Sequence, residues 1–488
     1  MSKQITITFL LICTANLVGI TAFSTSAFAE SAVQLEEVVV TARRRAELDQ
    51  EVPIATAVFS QSTIKRARIE RPADFINLTS NVSITDTANA GDTQVNIRGI
   101  TSTRDAEGTF AFVVDGVLIT NPNGFNQELF DIQSIEILKG PQGALYGRNA
   151  VSGAILVNTV PPSDVFESTI RIGGGTDGLQ KLGLSISGPL SDSLRGSLSV
   201  MSREDDGQHK NEFTGQDDVV DFVDEQNVRA RLVWDVSDRL TLDAVVGVRD
   251  VEAGAINFNA VFALSDAAGL FGDPTLFKDV NDHDFSYYFN TPGENEQENT
   301  FFSLQAAYEL DKALLTATFS YDELDEYLLS DGTSAAFGLY SFDILGAFSP
   351  GGPTVGPAQT ACSDSYQDLL ASGRFAPGNN PPFFAYPGSV PGQAADLGIA
   401  PFYGLNALLS PYTPSTCDGY QYQERNQEST SFELKIASLD DAPLTWMAGV
   451  YYSHIEREVV VSYGADLGDG KFGRTPFVAG RTDLLFWD

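Results

Sequence analysis

The sequence has 488 residues, and 65 acidic against 30 basic side chains give it a formal net charge of −35. Such a surface repels phosphate, so the basic footprint of a nucleic-acid-binding protein is absent. No nucleophile motif appears, and His209, His283 and His454 lie too far apart to suggest metal-ligand spacing. We therefore expect neither an enzyme nor a bound cofactor.

Residues 1–29 have the features of an export signal. Lys3 is the only charge before Glu30, and residues 5–20 are mostly apolar. Ala27-Phe28-Ala29 then supplies the small-x-small pattern that a signal peptidase requires. A membrane anchor is the alternative, but several polar residues interrupt the run. We expect cleavage after Ala29 and a mature protein beyond the inner membrane.

Residues 30–49 are expected to form a polar periplasmic arm with one β-branched run. The run is Glu37-Val38-Val39-Val40-Thr41-Ala42, and it has no partner strand nearby in the sequence. Such a segment is suited to join the edge of another protein's sheet as an added strand. It could equally be the first strand of the following domain, and the residues alone leave both interpretations open.

Residues 50–160 are predicted to form a compact α+β domain. Helices are expected to begin near residues 62–65 and 72–76. Residues 112–119 form two apolar segments around Asp115-Gly116, which is a hairpin signal. A glycine-rich run at residues 138–149 precedes another apolar stretch at residues 152–157.

Residues 165–488 are predicted to form an antiparallel transmembrane β-barrel with long extracellular loops. Segments of about ten residues alternate apolar with polar side chains, as transmembrane strands do. One such segment places Ala317 and Phe319 on one face and Thr318 and Ser320 on the other. A soluble sandwich alternates in the same way, so the connections decide between the two folds. Tight turns here alternate with connections as long as residues 326–427, which favours an outer-membrane barrel.

The barrel is expected to be incomplete in this sequence. The alternation gives about nine strands, with residues 481–488 starting another. An open sheet edge in lipid leaves unpaired backbone groups, each costing several kcal/mol. A domain of about 110 residues has a radius of gyration of about 13 Å and fits inside roughly 22 strands rather than ten. We therefore expect a fragment, or an early-terminated product, of a 22-stranded parent.

Several short motifs carry a family resemblance. Four of them, in order, resemble the plug signatures of TonB-dependent receptors: Asn96-Ile97-Arg98-Gly99-Ile100, Val114-Asp115-Gly116-Val117, residues 135–143 and Leu145-Tyr146-Gly147-Arg148-Asn149. Residues 37–42 resemble the TonB box of the family, and residues 432–438 resemble one of its strand motifs. The resemblance implies a plug domain inside a barrel in the outer membrane of a Gram-negative bacterium.

The resemblance also implies energy-coupled uptake of a scarce nutrient. A small-molecule ligand would bind the loops and the plug, and TonB of the inner-membrane energy-transducing complex would pair with residues 37–42. A ferric siderophore is the expected substrate. The alternatives are a TonB-dependent importer of a glycan or other non-iron substrate, and a passive porin-like or adhesin barrel.

Two sets of site residues follow from these expectations. The family's charge cluster between plug and barrel would comprise Arg98 and Lys139 on the plug and Glu433 on the barrel wall. Lys139 departs from the Arg often found in that motif. Separately, Cys362 and Cys417 lie in one long connection of an exported protein. Because that compartment is oxidising, we expect a disulfide between them, with two unpaired thiols as the alternative.

Overall fold

The computed structural model describes eleven stretches of the chain: residues 39–40, 44, 47–48, 54–86, 89–102, 107–211, 216–255, 293–331, 420–439, 444–464 and 485–487. The predicted signal sequence and the predicted disulfide between Cys362 and Cys417 lie outside the described residues. Among the described residues, no helix combines the length and apolar character needed to cross a membrane.

Two small sheets, one five-stranded sheet and three short helices precede the large sheet in the described part of the chain. The arm contributes β1 (Val39–Val40) and β2 (Glu47–Leu48), which pair antiparallel. The following elements constitute the plug: β3 (Ala55–Ser60), α1 (Gln61–Ala67), α2 (Pro72–Asn77), β4 (Val82–Asp86), β5 (Thr93–Ile97), β6 (Ile100–Thr101), β7 (Phe110–Val114), β8 (Val117–Ile119), β9 (Ile132–Lys139), α3 (Gly143–Tyr146) and β10 (Gly153–Thr159).

Local sequence explains how the plug elements begin and turn. The Ser60 hydroxyl caps α1 by accepting a hydrogen bond from the backbone N–H of Thr63, and Pro72 occupies the first turn of α2. Both predicted helix starts are confirmed. Asp115 and Gly116 have φ of 48° and 85°, the left-handed pair that a tight hairpin between β7 and β8 requires. The predicted Asp-Gly turn is also confirmed.

The plug has its own apolar core between its helices and its sheets. The sheet order is β3-β9-β10-β7-β8, with β10 parallel to β7 and antiparallel to β9. Phe75 and Ile76 of α2 are fully buried, as are Ile135, Ile137 and Ile155 of the sheet. Each such side chain contributes about 1.5–3 kcal/mol by leaving water. The described plug therefore has an apolar core that is built from its own residues.

The ten remaining strands form one antiparallel sheet in chain order, which we call the wall. Tight turns such as Asp192-Ser193 and Asp311-Lys312 join neighbouring strands. The predicted antiparallel sheet is confirmed. Its strands are β11 (Glu167–Gly174), β12 (Gln180–Ser191), β13 (Leu194–Asp205), β14 (Val223–Ser237), β15 (Leu240–Ala253), β16 (Glu294–Leu310), β17 (Ala313–Asp331), β18 (Tyr420–Ser438), β19 (Met447–Gly464) and β20 (Leu485–Trp487).

In the wall, apolar side chains are exposed on one face and polar side chains are buried on the other, which is the reverse of a soluble protein. Leu304, Phe319 and Phe432 lie opposite one another on adjacent strands, and all three are exposed. The neighbouring row Ser303, Ser320 and Ser431 is buried on the other face. An apolar outer face and a polar inner face are what a lipid-facing barrel wall requires.

Several strands extend further than the sequence predicted. Residues 326–427 were expected to be loop, but β17 continues to Asp331 and β18 begins at Tyr420. The 19 residues of β17 span about 63 Å at 3.3 Å per residue, more than twice the apolar band of about 25 Å. In the extension of β17 the adjacent residues Leu328 and Leu329 are both buried, so the alternation that marks a strand disappears there.

We predict that Gly153→Ala destabilises the plug. A Cβ at this position of β10 would stand 2.3 Å from the carbonyl oxygen of Leu138 on the adjacent strand. Forcing the strands apart should cost about 1–3 kcal/mol, and limited proteolysis should cleave the plug faster. Gly143→Ala is the matched control, because a Cβ there meets nothing within 4 Å. Equal protease resistance in both variants would contradict the prediction.

Candidate functional site

The plug meets the inner face of the wall through charged and polar side chains. Arg249 of β15 donates from Nε to Oε1 of Glu225 on β14 at 2.9 Å, and both residues are buried. The same carboxylate accepts the backbone N–H of Glu128 at 3.1 Å, and Arg249 Nη2 donates to the carbonyl of Asn126 at 3.2 Å. A buried ion pair of the wall thus binds the plug backbone at two points.

A second ionic contact lies beside the first. Lys181 of β12 donates from Nζ to Glu70 at 2.5 Å and to Glu128 at 2.9 Å. Burial raises the pKa of the Glu128 carboxyl, and the nearby Lys181 ammonium opposes that shift. Lys181 thus joins the wall to two carboxyl groups of the plug.

Three further contacts join the plug to strands β12–β15. The hydroxyls of Ser185 and Ser199 donate to Oδ2 of Asp131 at 2.8 and 3.0 Å. Arg229 Nη2 donates to the carbonyl of Phe130 at 3.0 Å. Arg231 is paired with Asp243 in the wall and donates to Oγ1 of Thr159 in β10 at 2.9 Å. This side of the wall holds the plug from residue 126 to residue 159.

Glu326 of β17 joins the plug to the following strands of the wall, on the same inner face. Its buried carboxylate accepts the side-chain amides of Asn89 and Asn123 from the plug. Asn295 and Gln297 of β16 donate to its Oε1 at 3.0 and 3.1 Å. Four side-chain amides therefore bind the buried Glu326 carboxylate, and the Arg425 guanidinium lies 3.8 Å from its Oε2. Within the described ranges no group of three or more acidic, His or Cys side chains is placed to hold a metal.

Glu326 was not predicted as a site residue, because residues 326–427 were expected to form a loop. A usable signal was present, since Asn295, Gln297 and Asn299 place an amide at every second position of β16. Amides repeated with period two indicate a polar face of a strand rather than a loop.

The structure does not bring Arg98 or Lys139 to Glu433. Lys139 lies at the end of β9, between β3 and β10, and its ammonium donates to the Ser80 carbonyl at 3.3 Å within the plug. Arg98 is exposed in the turn between β5 and β6. The predicted pairing of these residues therefore requires correction, because the plug sheet directs Lys139 toward the plug itself.

Glu433 contacts the arm instead. Arg44 Nη1 donates to Oε1 of Glu433, and the guanidinium lies 5.0 Å from the ring centroid of Tyr146 in α3. Burial raises the pKa of the Tyr146 hydroxyl, which stays neutral under the cation. Arg44 is thus held by an anion on one side and an aromatic ring on the other.

Two of the predicted TonB-binding residues form a described strand. Val39 and Val40 of β1 pair with Leu48 and Glu47 of β2, respectively. The predicted partners Glu37, Val38, Thr41 and Ala42 lie outside the described residues. The run that was expected to add to another sheet is therefore paired within the arm, on either side of Arg44.

We predict that Arg249→Met loosens the plug from the wall. Leaving Glu225 buried without its partner should cost about 3–5 kcal/mol, so the plug should become protease-accessible at lower urea concentration. The double variant with Glu225→Gln should recover most of the loss. Arg239→Met is the control, because its ion pair with Asp311 is exposed and worth about 0–1 kcal/mol. An equal effect of Arg239→Met would contradict the prediction.

Comparison with known proteins identifies the plug. Residues 49–154 match the family described as TonB-dependent Receptor Plug Domain. The pesticin receptor of Yersinia pestis is 28% identical over 221 residues, covering 42% of this chain and 33% of the receptor. A vitamin B12 transporter BtuB of Vibrio vulnificus is 26% identical over 189 residues, 38% of this chain and 30% of the transporter. The chain thus matches about a third of the length of these curated relatives.

Solved structures share the fold over most of the chain. The ferric yersiniabactin uptake receptor FyuA from Yersinia pestis superposes with a TM-score of 0.59 at 17% identity, covering 84% of this chain and 50% of that structure. The ferripyoverdine receptor of Pseudomonas aeruginosa gives 0.57 at 13% identity, with coverages of 90% and 49%. The predicted outer-membrane location is confirmed by these relationships. Residues 49–154 therefore belong to the TonB-dependent receptor plug family, and the described part of the chain comprises this plug and ten strands of one antiparallel sheet.

Proposed function

We propose that the protein imports a ferric siderophore across the outer membrane by TonB-dependent, energy-coupled transport. The observation that carries the proposal is the way the plug is held: polar and ionic contacts join it to the inner face of the wall. Contacts of this kind specify one position for the plug, and they exchange for water when the plug moves. The plug can therefore block a lumen at rest and be displaced by an applied force.

The arm supports coupling to an energy source. Passive diffusion through a porin and binding by an adhesin do not require an exported segment with a β-branched run ahead of the plug. In this chain Val39 and Val40 belong to that run, and Arg44, two residues after it, connects it to the wall. We propose TonB as the partner that binds residues 37–42 by adding a strand.

The substrate class rests on relatives and on charge. The pesticin receptor and the receptors named for ferric yersiniabactin and ferripyoverdine support an iron carrier. The similarity to vitamin B12 transporters supports the alternative substrate class, a nutrient other than iron. A net charge of −35 disfavours an anionic ligand and favours a neutral or cationic one.

We predict that the protein restores iron uptake to a strain lacking its own siderophore receptors. Radioactive iron carried by a panel of neutral and cationic siderophores should accumulate, and an uncoupler or loss of TonB should abolish accumulation. Cyanocobalamin serves as the competing probe. Uptake that continues in the presence of the uncoupler would indicate a passive pore. Uptake of cyanocobalamin without uptake of iron would show that the substrate is not a ferric siderophore.

We predict that Val39→Pro abolishes transport and leaves ligand binding intact. Proline removes a backbone donor and fixes φ, so residue 39 can no longer pair in a strand. Binding of the labelled ligand to whole cells should remain within about twofold of the unsubstituted protein, because the substitution is in the arm and not in the loops that are expected to bind ligand. Val39→Ile keeps the donor and the β-branch and should transport normally. Undiminished uptake by the Val39→Pro variant would show that TonB does not bind this run as an added strand.

A further inference from the structure

A cavity of about 80 Å³ lies between the plug and the inner face of the wall. On the wall side it is lined by residues that lie directly opposite one another on β14, β15, β16 and β17. We call them the cavity row: Arg229, Gly247, Phe301 and Asp322. The row has a cation at one end and a carboxylate at the other. Three strand spacings separate these two ends, which is about 14 Å along the backbone of the sheet.

Two other charged side chains line the cavity, and both are already paired. The Asp115 carboxylate accepts the backbone N–H and the hydroxyl of Thr159 at 2.8 and 2.7 Å. Arg249 donates from Nε to Glu225 at 2.9 Å. Neither of these side chains needs a further partner in the cavity.

The two charges of the cavity row are not paired in this way. Asp322 is only 6% exposed, and its carboxylate accepts one hydrogen bond, from the Asn299 amide at 3.2 Å. The Arg229 guanidinium donates to the Phe130 carbonyl at 3.0 Å and retains further N–H donors. Within the described part of the chain, neither side chain forms an ion pair. A charge removed from water requires an opposite charge or several hydrogen bonds, so both groups indicate a ligand in the cavity.

Gly247 provides space between the two charges, and the backbone does not require a glycine there. A Cβ at this position would meet only the Val228 carbonyl oxygen, at 3.7 Å, which is an ordinary contact. The pairing of β15 with both neighbouring strands is regular at this point. Glycine weakens the interior of a strand and often marks the close approach of another group. At Gly183 of β12 that group is the ring of Phe130 from the plug, whereas Gly247 faces the cavity.

The size and lining of the cavity restrict the class of ligand. Between the two charges, Gln127 and Asn227 supply amides, and Val114, Ile119 and Phe301 supply apolar surface. One water-sized group needs about 10–15 Å³, so the cavity accommodates several non-hydrogen atoms. A guanidinium binds a carboxylate through two parallel hydrogen bonds, and an aspartate carboxylate accepts from an ammonium. A molecule of this size that carries both groups is a short amino acid.

We propose that the cavity binds a small zwitterion of the amino-acid class, with its carboxylate on Arg229 and its ammonium on Asp322. Gly247 leaves room for the carbon that joins the two groups. A zwitterion adds no net charge to the buried site, whereas a simple anion or cation leaves one of the two side chains unpaired. The cavity is too small for a ferric siderophore, so this site is separate from the proposed transport function.

Glycine, the smallest amino-acid zwitterion, is the probe that tests the proposal. Binding of labelled glycine to the whole purified protein is measured by equilibrium dialysis, with acetate and methylammonium as competitors. Asp322→Asn and Arg229→Gln each remove one charge of the cavity row, and Gly247→Val fills the space between them. Asp235→Asn is the matched control for Asp322→Asn, because its carboxylate also lies on a wall strand but pairs with Arg195 outside the cavity.

Asp322→Asn and Arg229→Gln should each weaken glycine binding by about tenfold or more, the loss expected for one charge-assisted hydrogen bond. Asp235→Asn should leave the affinity within about twofold, because distant sites act independently. Gly247→Val should abolish binding while the plug keeps its protease resistance, since valine suits a strand. This variant keeps the test decisive if a charge substitution impairs folding.

Three results would overturn the proposal. The first is the absence of saturable glycine binding below about 10 mM, which would leave water as the occupant of the cavity. The second is competition by acetate or methylammonium as effective as that by unlabelled glycine, which would indicate a site for a simple ion. The third is undiminished binding to the Gly247→Val variant, which would place the glycine elsewhere. Neither siderophore nor TonB is present, so the result is independent of the uptake experiments.

Discussion

The polar inner face of the wall determines how every other part of the molecule is held. Side chains alternate along a strand, so an outer face that suits lipid leaves polar residues on the inner face. The plug must bury its surface against that face. Its contacts are accordingly carboxylates, guanidinium groups, amides and hydroxyls rather than a shared apolar core. Each buried charge then needs a partner, as Glu225 has in Arg249 and Glu326 has in four amides.

This arrangement separates the stability of the plug from its attachment. The buried apolar cluster of the plug draws its members from residues 59–157, and none of them comes from the wall. Breaking the contacts between plug and wall therefore leaves the apolar core of the plug intact. Losing the same number of apolar contacts inside that core would unfold a domain of this size. Buried ion pairs add little net stability compared with apolar substitutes, but losing one partner is costly. They define one docked position while still permitting release as water replaces them.

The sequence was most informative where a pattern is local. The Asp115-Gly116 turn depends on the left-handed preference of two adjacent residues, and the alternation around Thr318 and Ser320 depends on the pleat of one strand. Pairings across long separations were not predictable in this way. Arg44 and Glu433 are 389 positions apart, and their meeting depends on the register of β18 and on the path of the arm. Lys139 carried a family motif, yet its place between β3 and β10 directs its ammonium to Ser80.

The arm is attached more weakly than the plug, and the difference sets the order in which the two can move. Arg44 has one ion pair with a partly exposed carboxylate and one aromatic contact, together worth about 1–3 kcal/mol. The plug is held by many more contacts, among them Lys181 with Glu70 and Glu128, Arg249 with the Asn126 carbonyl and Arg229 with the Phe130 carbonyl. A force applied to residues 37–42 therefore acts first on Arg44. Because Arg44 lies between β1 and β2, its release and the unpairing of Val39 from Leu48 belong to one local event. The plug contacts on β12–β15 do not involve Arg44, so the arm can be released while the plug stays in place.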